Sequence, residues 1–449
     1  MSYHGDTIMI LLPANRTQKR RLALLATASL ILTGTVWALQ GHDDNPDFPS
    51  IPFDHKAIQY AERSADDPVA RLQKQMENGE VKLEFHPRWG YLPSVLKHLG
   101  INSDSQLLVF SKTSAQISQI SPGTPRAIYF NDEVSVGYVQ GGRALELASL
   151  DPQQGMIFYT LDVEKSDGPS FSRQEMSCLQ CHLIPATLNV PGLVLSSASP
   201  ADPSSPSRRA GAFATDHRIP LEDRWGGWYV TGLHGTIRHR GNVPLDVFGR
   251  PAASELPSQN LTSLAERLNT SAYLAPTSDI VALMTLEHQT RMTNLITRIG
   301  WETRVAAAAG ELAEFQTRLD SDIDEFVTYL LFADEAPMRS PIQGVSAFTK
   351  TFPQRGPRDL QGRSLREFDL QKRLFRYPLS YLIYSSAFDS IPDIARDGIY
   401  RKLYEVLTGK DTSRTFARLP AEDRRAVMEI LRDTKPNLPA YWKTSAGPP

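Results

Sequence analysis

The run Cys178-Leu179-Gln180-Cys181-His182 holds the residues whose types and spacing bear most directly on chemistry. Two thiols three positions apart lie about one turn apart on a helix, so both can bond to the same edge of a flat ligand. The imidazole that follows can swing beneath that ligand and give a nitrogen to a metal at its centre. Three other chemistries share part of this pattern. A paired-CxxC zinc site needs two further soft ligands, and these are the only 2 cysteines of the chain. A disulfide across two intervening residues restrains little chain, because its effect grows with loop length. A thioredoxin-like dithiol needs only the CxxC and stands as the alternative.

The CxxCH pattern of Cys178, Cys181 and His182 resembles the attachment motif of c-type cytochromes. The resemblance covers those positions. It implies one covalent haem c on Cys178 and Cys181, with His182 as the proximal iron ligand. The chain departs from small class I cytochromes, whose axial methionine follows within the next hundred residues. Here no methionine falls between Met176 and Met284. The segments Pro125–Asp132, Arg224–Tyr229 and Gly362–Leu365 are similar to a family of exported bacterial monohaem proteins of unestablished activity, a likeness that supplies no mechanism.

A sixth iron ligand must then come from elsewhere or be absent. His288 shares a helical face with Met284 and Met292 at i−4 and i+4, so His288 and Met292 are candidates. His217, His234 and His239 are nearer the motif in sequence and complete the set. Arg218, Arg224 and Arg238, with Arg240 beside them, are candidate partners for the haem propionates, since guanidinium matches carboxylate as a bidentate fork. Trp225, Trp228 and Tyr229 are equally suited to walling a porphyrin and to filling a core.

The N-terminus bears on compartment. Arg16, Lys19, Arg20 and Arg21 precede an uncharged run from Leu22 to Leu39, and Asp43, Asp44 and Asp47 follow it. That order orients the run with its N-terminus in the cytoplasm. Residues 22–39 are read as a membrane anchor, with a cleaved signal peptide as the alternative. Either places the rest on the periplasmic side of a bacterial inner membrane. The segment carries four basic residues against Asp6, and the whole chain is −2, so the exported part is near −5. That balance excludes a nucleic-acid partner. With 41% hydrophobic and 22% charged residues, the remainder is an ordinary globular chain.

The elements that must position the motif follow from periodicity. Leu107–Phe110, Ala127–Phe130, Val134–Val139, Leu145–Ala148 and Met156–Leu161 are short β-branched and aromatic runs broken by turn residues, which predicts an antiparallel meander. Ser172 and Glu175 have capping-box spacing, so a short helix is expected to start there, carry the cysteines and stop before Pro185. Residues 196–209 read as a Ser/Pro-rich loop. Helices are expected over 278–299, capped by Ser278 and stopped by Gly300, and over 303–332, 371–387, 398–408 and 421–433. Asp320, Asp322, Asp324 and Glu325 read as a solvated face. The expected class is α+β: a meander and haem-bearing segment, then a mainly α-helical C-terminal region. The division is 1–21 cytoplasmic, 22–39 anchor, 40–60 linker, 61–250 haem domain and 251–449 helical domain.

Three functions are compatible with these residues. One is electron transfer by a single haem between redox partner proteins. Another is a peroxidase-like haem oxidoreductase with an open iron site. The last is a haem-containing sensor or partner-binding protein. No P-loop, dinucleotide-binding glycine motif or HExxH occurs in the chain.

Overall fold

The computed structural model describes residues 50–199, 211–245 and 259–443. The expected anchor, residues 22–39, lies outside them, as does most of the loop at 196–209. Among the described residues no helix is long and apolar enough to cross a membrane.

The meander forms as the alternation demands. Strands β1 (Leu107–Val109), β2 (Arg126–Phe130), β3 (Val134–Tyr138), β4 (Ala144–Asp151), β5 (Gly155–Asp162) and β6 (Ser172–Gln174) pair in sequence order, all antiparallel. Ala127, Tyr129, Val136, Leu145, Leu147, Ile157, Tyr159 and Leu161 point to one face and are buried there. Arg126, Ile128, Glu146 and Thr160 point to the other and are only half-buried. Gly155, at φ +85°, opens β5, and a Cβ there would come within 2.6 Å of Thr297 Cγ2, so the hairpin tip and a later helix pack backbone to side chain. Strands β7 (Ser196–Ser199) and β8 (Gly211–Ala214) form a separate two-stranded hairpin.

Seven helices of seven residues or more lie among the described residues: α1 (Pro68–Glu77), α2 (Leu92–His98), α3 (Met176–His182), α4 (Ile280–Ala309), α5 (Leu312–Leu330), α6 (Asp393–Thr408) and α7 (Ala421–Thr434). The mixture of an antiparallel sheet followed by a helical C-terminal region is α+β. Buried apolar side chains form one cluster that runs from Ile51 to Trp442, across residue 250.

Several boundaries differ from the sequence reading. Ser172 sits in β6, and the motif helix starts at Met176 with no side-chain cap, so Ser172 and Glu175 form no capping box. Asp279, not Ser278, caps α4, its Oδ1 accepting from Val281 N at 2.8 Å. Ser278 instead ties α4 to the sheet, accepting from Leu108 N at 2.9 Å and donating to the Tyr229 carbonyl at 2.7 Å. Gly300 does not stop this helix. Arg304 covers it, and the helix runs on to Gly310, whose φ of +77° ends it. The helix expected from 303 therefore begins at Leu312. Residues 371–380 are irregular: the Arg373 and Leu374 carbonyls accept from the nearby Leu370 and Asp369 amides, Arg376 N donates to Glu367 O, and Ser380 N reaches Leu330 O at 2.8 Å. Residues 50–60 are no bare linker, since Ile51, Ile58 and Tyr60 are buried. Asp322 leaves the solvated face for a cluster with Arg298, Glu302 and Arg318, where burial and the neighbouring Glu302 carboxyl raise its pKa.

Candidate functional site: a cysteine pair with an oriented histidine

Helix α3 presents the motif on two short turns. Cys178 is half-buried and Cys181 exposed. Burial raises the pKa of both thiols, and the Glu146 charge adds to this at Cys178. The shift favours the thiol over the thiolate that a dithiol oxidoreductase uses, with a Ser177 hydrogen bond opposing it at Cys178.

His182 closes the helix, and the loop after it folds back to hold the ring. Its Nδ1 lies 2.8 Å from the Gly192 carbonyl, and the Gly192 amide donates to the His182 carbonyl at 2.9 Å. A carbonyl oxygen only accepts, so Nδ1 carries the proton and Nε2 keeps its lone pair. Metal-binding histidines characteristically donate their second nitrogen in this manner, which fixes both tautomer and orientation. Burial also lowers the pKa of His182 and so favours the neutral, ligating form. The ring lies against Phe158 with centroids 4.7 Å apart. These residues fit a haem held by two thioethers and one imidazole.

Glycine is required at 192. A Cβ there would collide with Asn294 Oδ1, while Asn294 Nδ2 donates to the next carbonyl, Leu193 O, at 2.8 Å. Gly192→Ala is expected to cost about 1–3 kcal/mol through this overpacking and to loosen the His182 ring. Urea unfolding checks the stability, and the ferric spectrum of haem-loaded protein checks the ring.

The candidate sixth ligands lie in two other clusters. His217 Nε2 donates to Asp334 Oδ1 (3.2 Å), leaving Nδ1 to accept from His288 Nδ1 (2.9 Å), and His288 Nε2 accepts from Ser380 Oγ (2.8 Å). The two rings are parallel within 8° with centres 5.1 Å apart, close to the N···N distance plus a ring radius at each end. The lone pair and the N–H therefore point along one line, the geometry of a hydrogen bond rather than of two ligands converging on a metal. Burial lowers both pKa values, most strongly for His288, so the pair is neutral. His234 places its nitrogens 2.9 Å from the Ile237 carbonyl and 3.0 Å from the Gln259 carbonyl, with His239 Nε2 at 3.3 Å. Met292 is fully buried on α4. It stands two residues from Asn294, hence on nearly the opposite side of the helix from the Gly192 loop.

Three of the four candidate propionate partners, Arg218, Arg224 and Arg240, are committed to carboxylates. Arg218 pairs with Asp216 through Nε (3.0 Å) and Nη2 (2.7 Å). Arg224 donates to Glu287 (3.0 Å) and to the His217 carbonyl (2.9 Å), with both ion-pair partners buried. Arg240 pairs with Asp223 at 2.8 Å. Arg238 is exposed. The charged groups acting on His182 are instead Arg126 and Glu146, which were not singled out from the sequence. Trp225 and Trp228 are buried core residues, with Trp228 Nε1 donating to the Ser196 carbonyl at 2.9 Å.

Among the described residues no three His, Cys, Asp or Glu side chains gather into a bare-metal site. No protein-family model matches the chain, and neither a curated protein nor a solved structure resembles it significantly.

Proposed function

We propose that this chain is an exported c-type haem protein that carries one covalent haem on Cys178 and Cys181 for electron transfer. The observation that carries the reading is the His182 ring, oriented by Gly192 with Nε2 free to ligate, one residue beyond the second of two protonated thiols. When bound, haem supplies a one-electron couple at iron. The chain's part is to tether the ring, fix the imidazole and shield it against Phe158. The N-terminal segment 22–39 would hold the protein to the membrane, on the side where a periplasmic redox partner docks.

The test is expression of the full chain in a host competent for cytochrome maturation. Red protein that keeps its colour after acid-acetone extraction is the expected result. Cys178→Ala with Cys181→Ala abolishes it. Colourless wild-type protein, with both thiols titratable, overturns the reading.

A second reading is favoured by one observation. The nitrogens of His217, His288 and His234 all face other partners, and Met292 lies across its helix from the ligand loop. Among the described residues, His239 Nδ1 alone of the candidate nitrogens is buried without a hydrogen-bond partner. If His239 does not reach iron, the sixth position is open, suited to a small exogenous ligand and to a haem oxidoreductase. Ferrous protein that binds CO supports the open site, and a six-coordinate ferrous haem that ignores CO supports electron transfer alone.

A further inference from the structure

Asn294, Arg298 and Glu302 follow one another at i+4 on α4, so they line one face of that helix. The first two carry the loop that orients His182. Asn294 Nδ2 donates to the Leu193 carbonyl at 2.8 Å, and Arg298 Nη1 donates to the Leu188 carbonyl at 3.1 Å. Glu302 faces α5. Its Oε1 accepts from Arg298 Nη2 and from Arg318 Nη2, the latter at 2.9 Å. Arg298 is thus divided between a carbonyl of the ligand loop and a carboxylate of the helix pair.

Glu302 has a second acid beside it. Asp322, on α5, shares the Arg318 guanidinium, but Arg318 Nε stands 3.7 Å from Asp322 Oδ2, too far for a hydrogen bond. The two carboxyls are within hydrogen-bonding reach of each other. Glu302 Oε2 and Asp322 Oδ2 are both buried, and neither accepts a hydrogen bond among the described residues. The side chains are only 5% and 15% exposed, so little water reaches them. Two ionised carboxylates in such contact repel, whereas one proton between them turns the contact into a hydrogen bond. The charged groups facing the pair are Arg298 from α4 and Arg318 from α5, and both already serve Glu302 Oε1. The loop packed against α4 offers them a carbonyl, that of Leu188.

We propose that Glu302 and Asp322 share one proton, and that this proton is an alkaline switch on the loop that holds His182. With the proton in place, α4 and α5 are clasped and Arg298 serves both Glu302 and Leu188. Release of the proton to water leaves two buried negative charges in contact. The carboxylates then push the helices apart, and the added charge draws Arg298 off the Leu188 carbonyl. The loop keeps Asn294 and loses Arg298, so the Gly192 carbonyl that fixes the His182 ring is held less firmly. Burial and the Glu302 carboxyl push Asp322 up to about 8, which places the release in mildly alkaline solution. An unfolded aspartate titrates near 3.9. Between those values the folded chain keeps a proton that the unfolded chain has released. The contribution of the pair to stability therefore falls as pH rises from about 4 to about 8 and is level above that.

Asp322→Asn in the full chain tests this. Its amide donates to Glu302 Oε2 at every pH and cannot titrate. Amide hydrogen exchange of residues 184–194 is followed from about pH 6 to about pH 9, corrected for base catalysis of exchange itself. The wild-type loop is expected to exchange about tenfold faster above the transition, the effect of losing one hydrogen bond to a charged group. Asp322→Asn is expected to show no such step. Glu302→Gln also removes the second carboxylate, abolishes the step, and serves if the first variant folds poorly. A wild-type profile without the step, or a step that both variants retain, overturns the proposal. Exchange needs no haem, so colourless protein would overturn the haem reading and leave this result standing.

Discussion

Arg224→Met is expected to destabilise the protein by about 3–5 kcal/mol, because it strands a buried carboxylate without its cation. Arg224 and Glu287 are 2% and 0% exposed at their side chains, so water cannot screen or replace the lost partner. Burial already raises the pKa of Glu287 against the opposing pull of Arg224. Removing Arg224 takes away the largest opposition to burial, leaving only hydrogen bonds from Thr215 and Trp225, so the Glu287 pKa rises further and protonation is favoured. The same substitution frees the His217 and Ile219 carbonyls, which accept from Arg224 at 2.9 and 2.6 Å. The paired replacement Arg224→Met with Glu287→Leu is expected to recover most of the loss, since an apolar pair of similar volume avoids desolvating two charges. Urea unfolding of the single and double variants decides it. A double variant as unstable as the single would show that shape and carbonyl contacts, not the stranded charge, set the cost.

Acid sensitivity is the second large effect. His239 is fully buried, and burial with the neighbouring His234 pushes its pKa down to about 3. In the unfolded chain the same imidazole titrates near 6.5. Below that pH the unfolded state binds a proton that the folded state refuses. Stability is therefore lost as pH falls from about 6.5 towards the folded value, at roughly 1.4 kcal/mol per pH unit for this one group. His239→Gln removes the penalty. The wild type is expected to lose about 3 kcal/mol more than the variant between pH 7 and pH 4. The two carboxyls Asp322 and Glu335 run the other way. Burial raises both, Glu335 to about 7, so each favours the folded state at lower pH. The comparison between wild type and variant cancels them. Parallel stability curves across that range would refute the assignment to His239.

The sheet was legible because its pattern is local. Strands β1 to β5 lie within a few residues of the alternating runs, and Ala127, Tyr129, Leu145, Leu147 and Ile157 are buried as alternation requires. The motif residues were legible for the same reason, since Cys178, Cys181 and His182 fall within five positions of one helix. What escaped was set by distant partners. Nothing near His182 in sequence announces that a carbonyl ten residues later will orient its ring. The region 216–240 offered the right residue types, but the partners that consume them, Glu287 and Asp334, are 63 and 117 residues away. Gly300 misled because a glycine inside an all-round buried helix is held by packing rather than propensity. Arg126 and Glu146 become neighbours only once the register of three strands is known.

The bond from Leu108 N to Ser278 Oγ spans 170 positions, and Gln106 reaches the Ala275 and Thr277 carbonyls beside it. The contacts that lock the opening strand of the sheet to the start of α4 therefore form only once that helix has been synthesised. Cys178 and Cys181 emerge well before that moment. If haem is attached as proposed, an attachment machinery that works on slack polypeptide would meet both sulfurs before that long loop has closed. Order of emergence, rather than exposure in the finished molecule, would then set when the tether forms.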